Sequence, residues 1–553
     1  MKKIYLVIIS LFLAISVTSG EMAGDTESLT PSDANIFVKT KQIAKLLKTM
    51  NYIVFNLMDE KDKNEFIAER KKFIDKTGID YSSEKSLRSA GIDTNRPVSF
   101  ANFGWDNNNN KTGQVMLVFL PILNEQEFPL KFIEIVKKAN ADKPEVKITI
   151  ITASHKNVTV YQLKNNLFIA SLNGYLLIGS TGDIIRRVID VRASGAKNLI
   201  LDENYKDYLA KEKNFYDINA YMTKKFFEQL NSAPGKNQEK HGLFSMKNLI
   251  LAQAGEGTVK SEDLNKSSVY DSIDYISAGI GFDNNKFQLN AAVKLAQDHP
   301  YVELLLGLLK TGVHDKSLYI STADTSTFMS FNLKYLDNLC KGDVQWCEHY
   351  NSFKQSLKTD TGIDFAKDFI PYHTGAINFI AIDSGAGGGV GDFLTFVPMT
   401  EAKKIEALWQ KIRKVFHGKY SKAKKFGEER ISGKKTFWFI HESQMRFFIA
   451  FDARGIYAGN NTALIKNAIN SQTVTVAKNT GRYGEVINDK TFFLLNIRKN
   501  ALLKMFMQMR SQTNPELGKN LNRIGEIFLF CEKRDRMLSV DFDIEIKEAA
   551  NKK

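Results

Sequence analysis

A glycine-rich segment is the part of this sequence whose composition is most typical of phosphate binding. Residues 385–392 read Gly-Ala-Gly-Gly-Gly-Val-Gly-Asp. Such a loop binds phosphate when it joins a strand to the N-terminus of a helix, because backbone N–H groups there face the anion. Here strand-like runs lie on both sides, and an asparagine run, residues 107–110, stands at the tip of an earlier hairpin of the same kind. We therefore interpret the glycine-rich segment as a hairpin turn.

The histidines and cysteines form no recognisable catalytic or metal-binding motif. Cys347 and His349 are close in sequence and His373 follows, but no four-ligand spacing is present. The sequence contains neither Gly-x-Ser-x-Gly nor His-Glu-x-x-His. We predict no catalytic residue, no metal ligand and no cofactor. Carboxylates or histidines from distant parts of the chain could still meet in space, which leaves open an enzyme with a scattered site.

Cys340 and Cys347 are a candidate disulfide. They are seven positions apart, which is about 10.5 Å on one continuous helix and too far for a bond. Gly342 and Asp343 between them can break a helix, and an oxidising compartment permits a disulfide. Cys531 lies in an apolar strand pattern and is interpreted as a buried thiol.

A strongly basic segment, residues 401–425, carries nine lysines and arginines against two glutamates. Its apolar residues recur at helical spacing and form one stripe. A basic amphipathic helix can lie on an anionic membrane; alternatively, the stripe packs on the protein's own sheet and leaves a solvated basic face. The candidate contacts to an anionic surface are Lys403, Lys404, Lys411, Arg413, Lys414, Lys422, Lys424 and Lys425.

The first 20 residues predict a secretory signal. Lys2 and Lys3 precede an apolar run, residues 4–17, and small residues follow at 18–20. The run is shorter than the roughly 20 residues of a membrane span, so we expect cleavage and a mature chain without a transmembrane segment. The formal net charge of +14 falls to +12 without the two lysines. A basic exported protein suggests an anionic envelope surface or another envelope protein as partner, and argues against nucleic acid.

An internal repeat sets the domain organisation. The phrase Thr77-Gly78-Ile79-Asp80 returns at 361–364, and the strand-like run 117–121 returns at 394–398, both ending in proline. The interval from Asp80 to Pro121 is 41 positions, and the matching interval from Asp364 to Pro398 is 34. The matching segments therefore follow in the same order at similar spacing. Glycine in each phrase is predicted to take the left-handed conformation that ends a helix.

The predicted segments are as follows. Residues 1–20 are the signal peptide, 29–298 are module 1 with a flexible insertion at about 232–268, 299–316 are a helical linker, and 317–547 are module 2. Within each module, hairpins alternate with single helices rather than strand with helix throughout. This order predicts an α+β fold of two tandem homologous modules, each a largely antiparallel sheet with helices packed on one face.

The chain resembles a family of exported bacterial proteins known only as a domain of unknown function. The resemblance rests on an aspartate opening the first strand, the Thr-Gly-Ile-Asp phrase, and late strands that end in glycine before a helix. Residues 31–34, Pro-Ser-Asp-Ala, fit the family's opening, whereas residues 322–325, Thr-Ala-Asp-Thr, lack its proline. The resemblance implies a signal sequence and repeated α+β modules, and it supplies no catalytic residues.

We expect a non-enzymatic protein of the envelope that acts by binding or scaffolding, periplasmic or extracellular. Two alternatives remain. One is an enzyme with a site of scattered residues at the interface between the modules. The other is a peripheral binder of anionic lipid or cell-wall polymer that uses the basic segment.

Overall fold

The structure is a computed structural model. It describes residues 26–57, 60–106, 113–141, 149–163, 167–195, 197–211, 216–226, 228, 269–283, 286–297, 299, 302, 325–331, 333, 337, 348–374, 376–382, 391–419, 425–440, 445–470, 491–498 and 524–546. The predicted signal peptide and insertion lie outside these residues, as does the linker apart from His299 and Val302. Two compact units divide the chain: the first comprises residues 1–236, 273–294 and 545–553, and the second comprises 237–272 and 295–544.

The described part of the first unit contains ten strands. They are β1 Ile36–Gln42, β2 Pro97–Asp106, β3 Gly113–Pro121, β4 Ile150–His155, β5 Val158–Leu163, β6 Leu167–Leu172, β7 Tyr175–Gly179, β8 Ile218–Thr223, β9 Ile273–Asp283 and β10 Lys286–Leu295. Neighbours follow the order β10-β9-β8-β1-β2-β3-β7-β6-β5-β4, and every pair from β9 to β4 is antiparallel.

Six α-helices accompany these strands in the described residues. They are α1 Ile43–Tyr52, α2 Glu60–Thr77, α3 Glu84–Ala90, α4 Phe128–Ala139, α5 Gly182–Ser194 and α6 Glu203–Lys211. A π-helical turn, Ile53–Leu57, continues α1. Helix α3 begins where the Ser83 side chain accepts the Ser86 N–H, and it ends at Gly91 in the left-handed conformation.

Helices cover both faces of the first sheet, so the prediction of helices on one face is wrong here. All five residues of β7 are buried. On one face, Leu176 and Ile178 pack with α1 and α4. On the other face, a Cβ added to Gly179 would lie 2.9 Å from Ile184 of α5. A strand buried on both faces reads as a continuous apolar run, which is what Tyr-Leu-Leu-Ile at 175–178 is.

The described part of the second unit also contains ten strands. They are β11 Thr325–Phe331, β12 Ile377–Ile382, β13 Asp392–Pro398, β14 Phe426–Ile431, β15 Lys434–Ile440, β16 Arg446–Asp452, β17 Gly455–Gly459, β18 Thr491–Arg498, β19 Ile524–Arg534 and β20 Met537–Ile546. Neighbours follow the order β20-β19-β18-β11-β12-β13-β17-β16-β15-β14. The helices are α7 Glu348–Thr361, α8 Phe365–Asp368, α9 Ala402–Lys419 and α10 Thr462–Asn470.

Two apolar cores lie on opposite faces of this second sheet. Phe396 and Ala450 belong to a core closed by α10. Their strand neighbours Val397 and Phe451, which point the other way, belong to a core closed by α9. Taken together, the described residues form an α+β fold dominated by antiparallel strands, as predicted. Among these residues, no helix combines the length and the apolarity needed to cross a bilayer.

Candidate functional site

Helix α9 carries most of the described candidate contacts to an anionic surface. It follows the proline that ends β13, and its apolar stripe faces the sheet. Ile405 is 3% exposed, and Leu408 and Trp409 pack against the same core, which includes Phe437. The described residues of the stripe, Ile405, Leu408 and Trp409, therefore stabilise the unit to which α9 belongs.

Four lysines lie on the outer side of α9. Lys403, Lys404, Lys411 and Lys414 are all exposed. Successive residues of an α-helix are rotated by about 100° about its axis, so the four lysines fall within a sector of about 100° around that axis. The centre of this sector is rotated by about 140° from the centre of the apolar stripe. The outermost two, Lys403 and Lys414, are eleven residues apart, which is about 16 Å along the axis. The lysines therefore form one basic strip along the helix.

Three of these lysines have no anionic partner within the part of the chain that the structure describes: Lys403, Lys411 and Lys414. Lys404 is different. Its ammonium lies 2.7 Å from a carboxylate oxygen of Glu401 and 4.9 Å from the centre of the Tyr372 ring, and the hydrogen bond that Lys404 donates to Glu401 raises the pKa of Lys404. We call Lys403, Lys411 and Lys414 the lysine strip.

Arg413 was predicted as a surface contact, but the structure gives it an internal role. Its guanidinium pairs with Glu428 of β14 and lies 5.2 Å from the ring centre of Phe437. Arg413 is the largest cause of the lowered pKa of Glu428, with Lys435 contributing. The side chain is only 21% exposed, so Arg413 joins α9 to the edge of its own sheet.

The remaining candidate contacts are only partly described. Lys425 is exposed and immediately precedes β14. Lys422 and Lys424 lie outside the described residues. The candidate disulfide, Cys340 with Cys347, also lies outside them. Cys531 is a free thiol whose pKa burial raises to about 11, so it is a poor nucleophile at neutral pH.

The repeated Thr-Gly-Ile-Asp phrase ends a helix in both units, as predicted. Gly78 and Gly362 have φ of +72° and +69°. The threonine hydroxyl of each phrase donates to the carbonyl four residues earlier, at 2.8 Å for Thr77 and 2.6 Å for Thr361. The same oxygen accepts the isoleucine N–H at 3.2 Å in both cases. The phrase is therefore a helix C-terminal motif.

The aspartate of each phrase binds a cation from the helix that it follows. Asp80 accepts two hydrogen bonds from Arg70, and it also accepts the Ser82 N–H at 3.0 Å. Arg70 is the main reason that the pKa of Asp80 falls to about 2. Asp364 lies 3.0 Å from Lys358 and begins α8 by accepting the Lys367 N–H. These contacts give both aspartates a structural role, which accounts for their repetition without any role in acid–base chemistry.

Two of the described histidines also have structural partners. His373 is fully buried; its Nδ1 lies 3.1 Å from the Pro398 carbonyl, and its Nε2 accepts the Leu333 N–H at 3.3 Å. His155 lies 2.8 Å from Asp190. Within the described residues, no group of three or more histidines, cysteines or carboxylates is placed to hold a metal ion. Residues 383–390 of the glycine-rich segment lie outside that description.

Comparison with known proteins assigns no family. No family model matches the chain, and no curated protein matches it. Two solved structures with some similarity are crystal forms I and III of TP0453, at 11% identity. They cover 53% and 52% of this chain and 88% of their own, with TM-scores of 0.24 and 0.23. TM-scores this low support no statement about the fold or the function of this chain.

Proposed function

We propose that this chain is an exported, non-enzymatic binding protein built from two copies of one module. In this proposal the second copy contacts anionic surfaces of the envelope through helix α9. The observation that carries the proposal is the lysine strip: three exposed ammonium groups on one side of a helix whose apolar residues Ile405, Leu408 and Trp409 pack on the core of its own unit.

The order of strands supports the duplication. If β1 to β10 are numbered against β11 to β20, the neighbours in the first unit correspond one by one to those in the second. The register corresponds as well: Leu117 pairs with Gly179 of β7, and Leu394 pairs with Gly459 of β17. The shared helix-ending phrase adds a further match at the level of hydrogen bonds.

The charge of α9 differs from that of its counterpart, and this difference supports a function for it. Helix α4 also follows the proline that ends the third strand of its unit. There Lys131 donates to the Ser89 carbonyl and Lys137 pairs with Glu134, which leaves Lys138 as an exposed lysine without an ion pair. Since the counterpart helix lacks a lysine strip, the fold itself does not require one.

An electrostatic contact follows from this geometry. The lysine strip can approach phosphate or carboxylate groups while the apolar stripe stays in the core. Each lysine close to an anionic membrane contributes about 1 kcal/mol. Three lysines together supply about 3 kcal/mol, or roughly 100-fold in affinity. Such binding weakens as salt rises, because the Debye length falls from about 10 Å at 0.1 M to about 3 Å at 1 M.

Vesicle binding tests the proposal. The mature chain is mixed with vesicles of anionic lipid, with vesicles of neutral lipid, and with an insoluble anionic cell-wall polymer, and the bound fraction is measured by sedimentation. We expect binding to the anionic surfaces alone, and a loss of roughly 100-fold in the variant in which Lys403, Lys411 and Lys414 are all glutamine.

A matched control separates the lysine strip from overall charge. Lys71, Lys72 and Lys138 of the first unit are exposed and without an ion pair among the described residues, so their replacement by glutamine removes the same charge elsewhere. We expect this control variant to bind within about threefold of the unmodified chain, since surface charges beyond a Debye length are largely screened. Equal losses in the two variants would mean that α9 has no special part in binding.

A further inference from the structure

In the part of the chain that the structure describes, strand β4 forms an edge of the first sheet. Among the described residues it pairs with β5 alone. Its first five residues are exposed, with Ile151 at 58%. The sequence Ile-Ile-Thr-Ala-Ser-His contains no lysine, arginine or carboxylate and four residues with branched or small apolar side chains. Such an edge presents unpaired backbone N–H and C=O groups and can bind another strand.

The corresponding edge of the second sheet is protected. Strand β14 reads Phe-Gly-Glu-Glu-Arg-Ile and pairs only with β15 in the described part of that unit. Three consecutive charged side chains, Glu428, Glu429 and Arg430, interrupt it, and charged residues on an edge discourage pairing with another chain. The two edges therefore differ in charged residues, one of the features that control edge-to-edge association.

We propose that β4 pairs antiparallel with β4 of a second copy of this chain. If the two-fold axis passes through Thr152, then Ile150 lies opposite Ser154 of the other copy, and Ile151 lies opposite Ala153. No charged residue then meets a like charge, and the cross-strand pairs combine β-branched with small side chains. Lys156, just beyond the strand, already lies 2.8 Å from Asp190 of its own chain, so its charge is countered near the junction.

Symmetry favours a closed pair over a fibre. Two β4 strands related by a two-fold axis use up both unprotected edges, so the contact closes at two chains. A head-to-tail contact between β4 and β14 could continue without limit, and the charges on β14 oppose it. One pair of six-residue strands buries less than the roughly 1,200 Å² of a stable interface, so we expect the dimer to dissociate on dilution.

Sedimentation of the mature chain, from about 1 µM to about 100 µM, tests this pairing in the range of weak interfaces. We expect the average mass to rise towards that of two chains, and Thr152→Lys to abolish the rise by placing two ammonium groups at the axis. Thr159→Lys, an exposed position on the neighbouring strand β5, is expected to leave the rise intact. A chain that stays monomeric throughout, or equal behaviour of the two variants, would overturn the proposal.

Cysteine cross-linking tests the register without relying on a disruptive variant. In a background with Cys340, Cys347 and Cys531 replaced by serine, Thr152→Cys places two thiols opposite each other. Cβ atoms in such a pair are about 4.5–5.5 Å apart, close to the separation of a disulfide, so oxidation is expected to give a covalent dimer. Ile150→Cys places the two thiols four residues out of register, about 13 Å apart, and is expected to give none. A covalent dimer from both cysteine variants, or from neither of them, would contradict the proposed register.

Discussion

Replacing Asp80 by asparagine removes the carboxylate that holds the end of helix α2 in the first unit. Asp80 binds Arg70 and the Ser82 N–H, and its pKa of about 2 lies below the ordinary value of 3.8. A difference of nearly two units corresponds to about 2.5 kcal/mol. Since the side chains of Arg70 and Asp80 are 30% and 18% exposed, solvent screening reduces the expected contribution to about 1–2 kcal/mol.

The pH dependence has a definite sign. Because the folded protein depresses the pKa of Asp80, the carboxylate stabilises the fold above pH 3.8, and this contribution is lost as the pH falls from 3.8 towards 2. Asp80→Asn is therefore expected to cost about 1–2 kcal/mol at pH 7 and much less near pH 2. Urea unfolding, monitored through the hydrogen exchange of residues 60–90, measures the unfolding free energy of the first unit by itself.

A variant on the same helix supplies the control. Asp75 is exposed and has no ion pair among the described residues, so Asp75→Asn is expected to change the unfolding free energy by less than about 0.5 kcal/mol. If Asp80→Asn and Asp75→Asn were equally mild at pH 7, or if the cost of Asp80→Asn were the same at both pH values, the proposed role of the Arg70–Asp80 pair would be wrong.

Three further outcomes are expected. Gly78→Ala and Gly362→Ala should each cost about 1–2 kcal/mol in unfolding free energy. Both glycines have positive φ, and no atom lies within 4 Å of the added Cβ, so the cost comes from the backbone conformation alone. Asparagine at either position should restore most of that loss, and an equal cost for alanine and asparagine would argue against this cause. His373→Ala should lower the stability of the second unit by about 1–3 kcal/mol, since the Leu333 N–H loses its buried acceptor while the Pro398 carbonyl keeps the Thr374 N–H; thermal unfolding checks this. Arg413→Gln should cost up to about 1 kcal/mol through the Glu428 pair, yet leave vesicle binding within about twofold; a large loss of binding would place Arg413 in the contact surface.

Local signals in the sequence predicted much of the fold. The helix-ending role of Gly78 and Gly362 follows from the type of residue alone, because glycine takes positive φ at little cost. Helix α9 and its apolar stripe follow from helical spacing. Each of these features depends on residues close together in the chain.

The missed features depend on contacts that spacing does not encode. Strands β4 and β14 were not predicted, because β4 is exposed on both faces and β14 carries consecutive charges, so neither shows the usual alternation. The placement of helices on both faces was missed, although the continuous apolar run of β7 signals it. Arg413 was grouped with the surface lysines, because its pairing with Glu428 is made only when β14 folds beside α9.

Helices α4 and α9, which each follow the third strand of their unit, differ in how their lysines are paired. In the first unit, α4 binds its lysines to a neighbouring carbonyl and to a glutamate. In the second, α9 leaves three of its lysines exposed and unpaired within the described residues. On the proposal that the two units are copies of one module, the lysine strip is the difference in surface that bears on the proposed function.

A proximity measurement tests the proposed contact most directly. Ala407 is exposed on the lysine side of α9, and Ala193 is exposed on α5 of the first unit, so each can carry a label after substitution by cysteine in the cysteine-free background. With anionic vesicles at low salt, quenching by a spin-labelled lipid headgroup is expected for a fluorophore at position 407 and not for one at 193, and about 1 M salt should abolish it. Equal quenching at the two positions, or quenching at 407 that persists in high salt, would contradict electrostatic docking through α9.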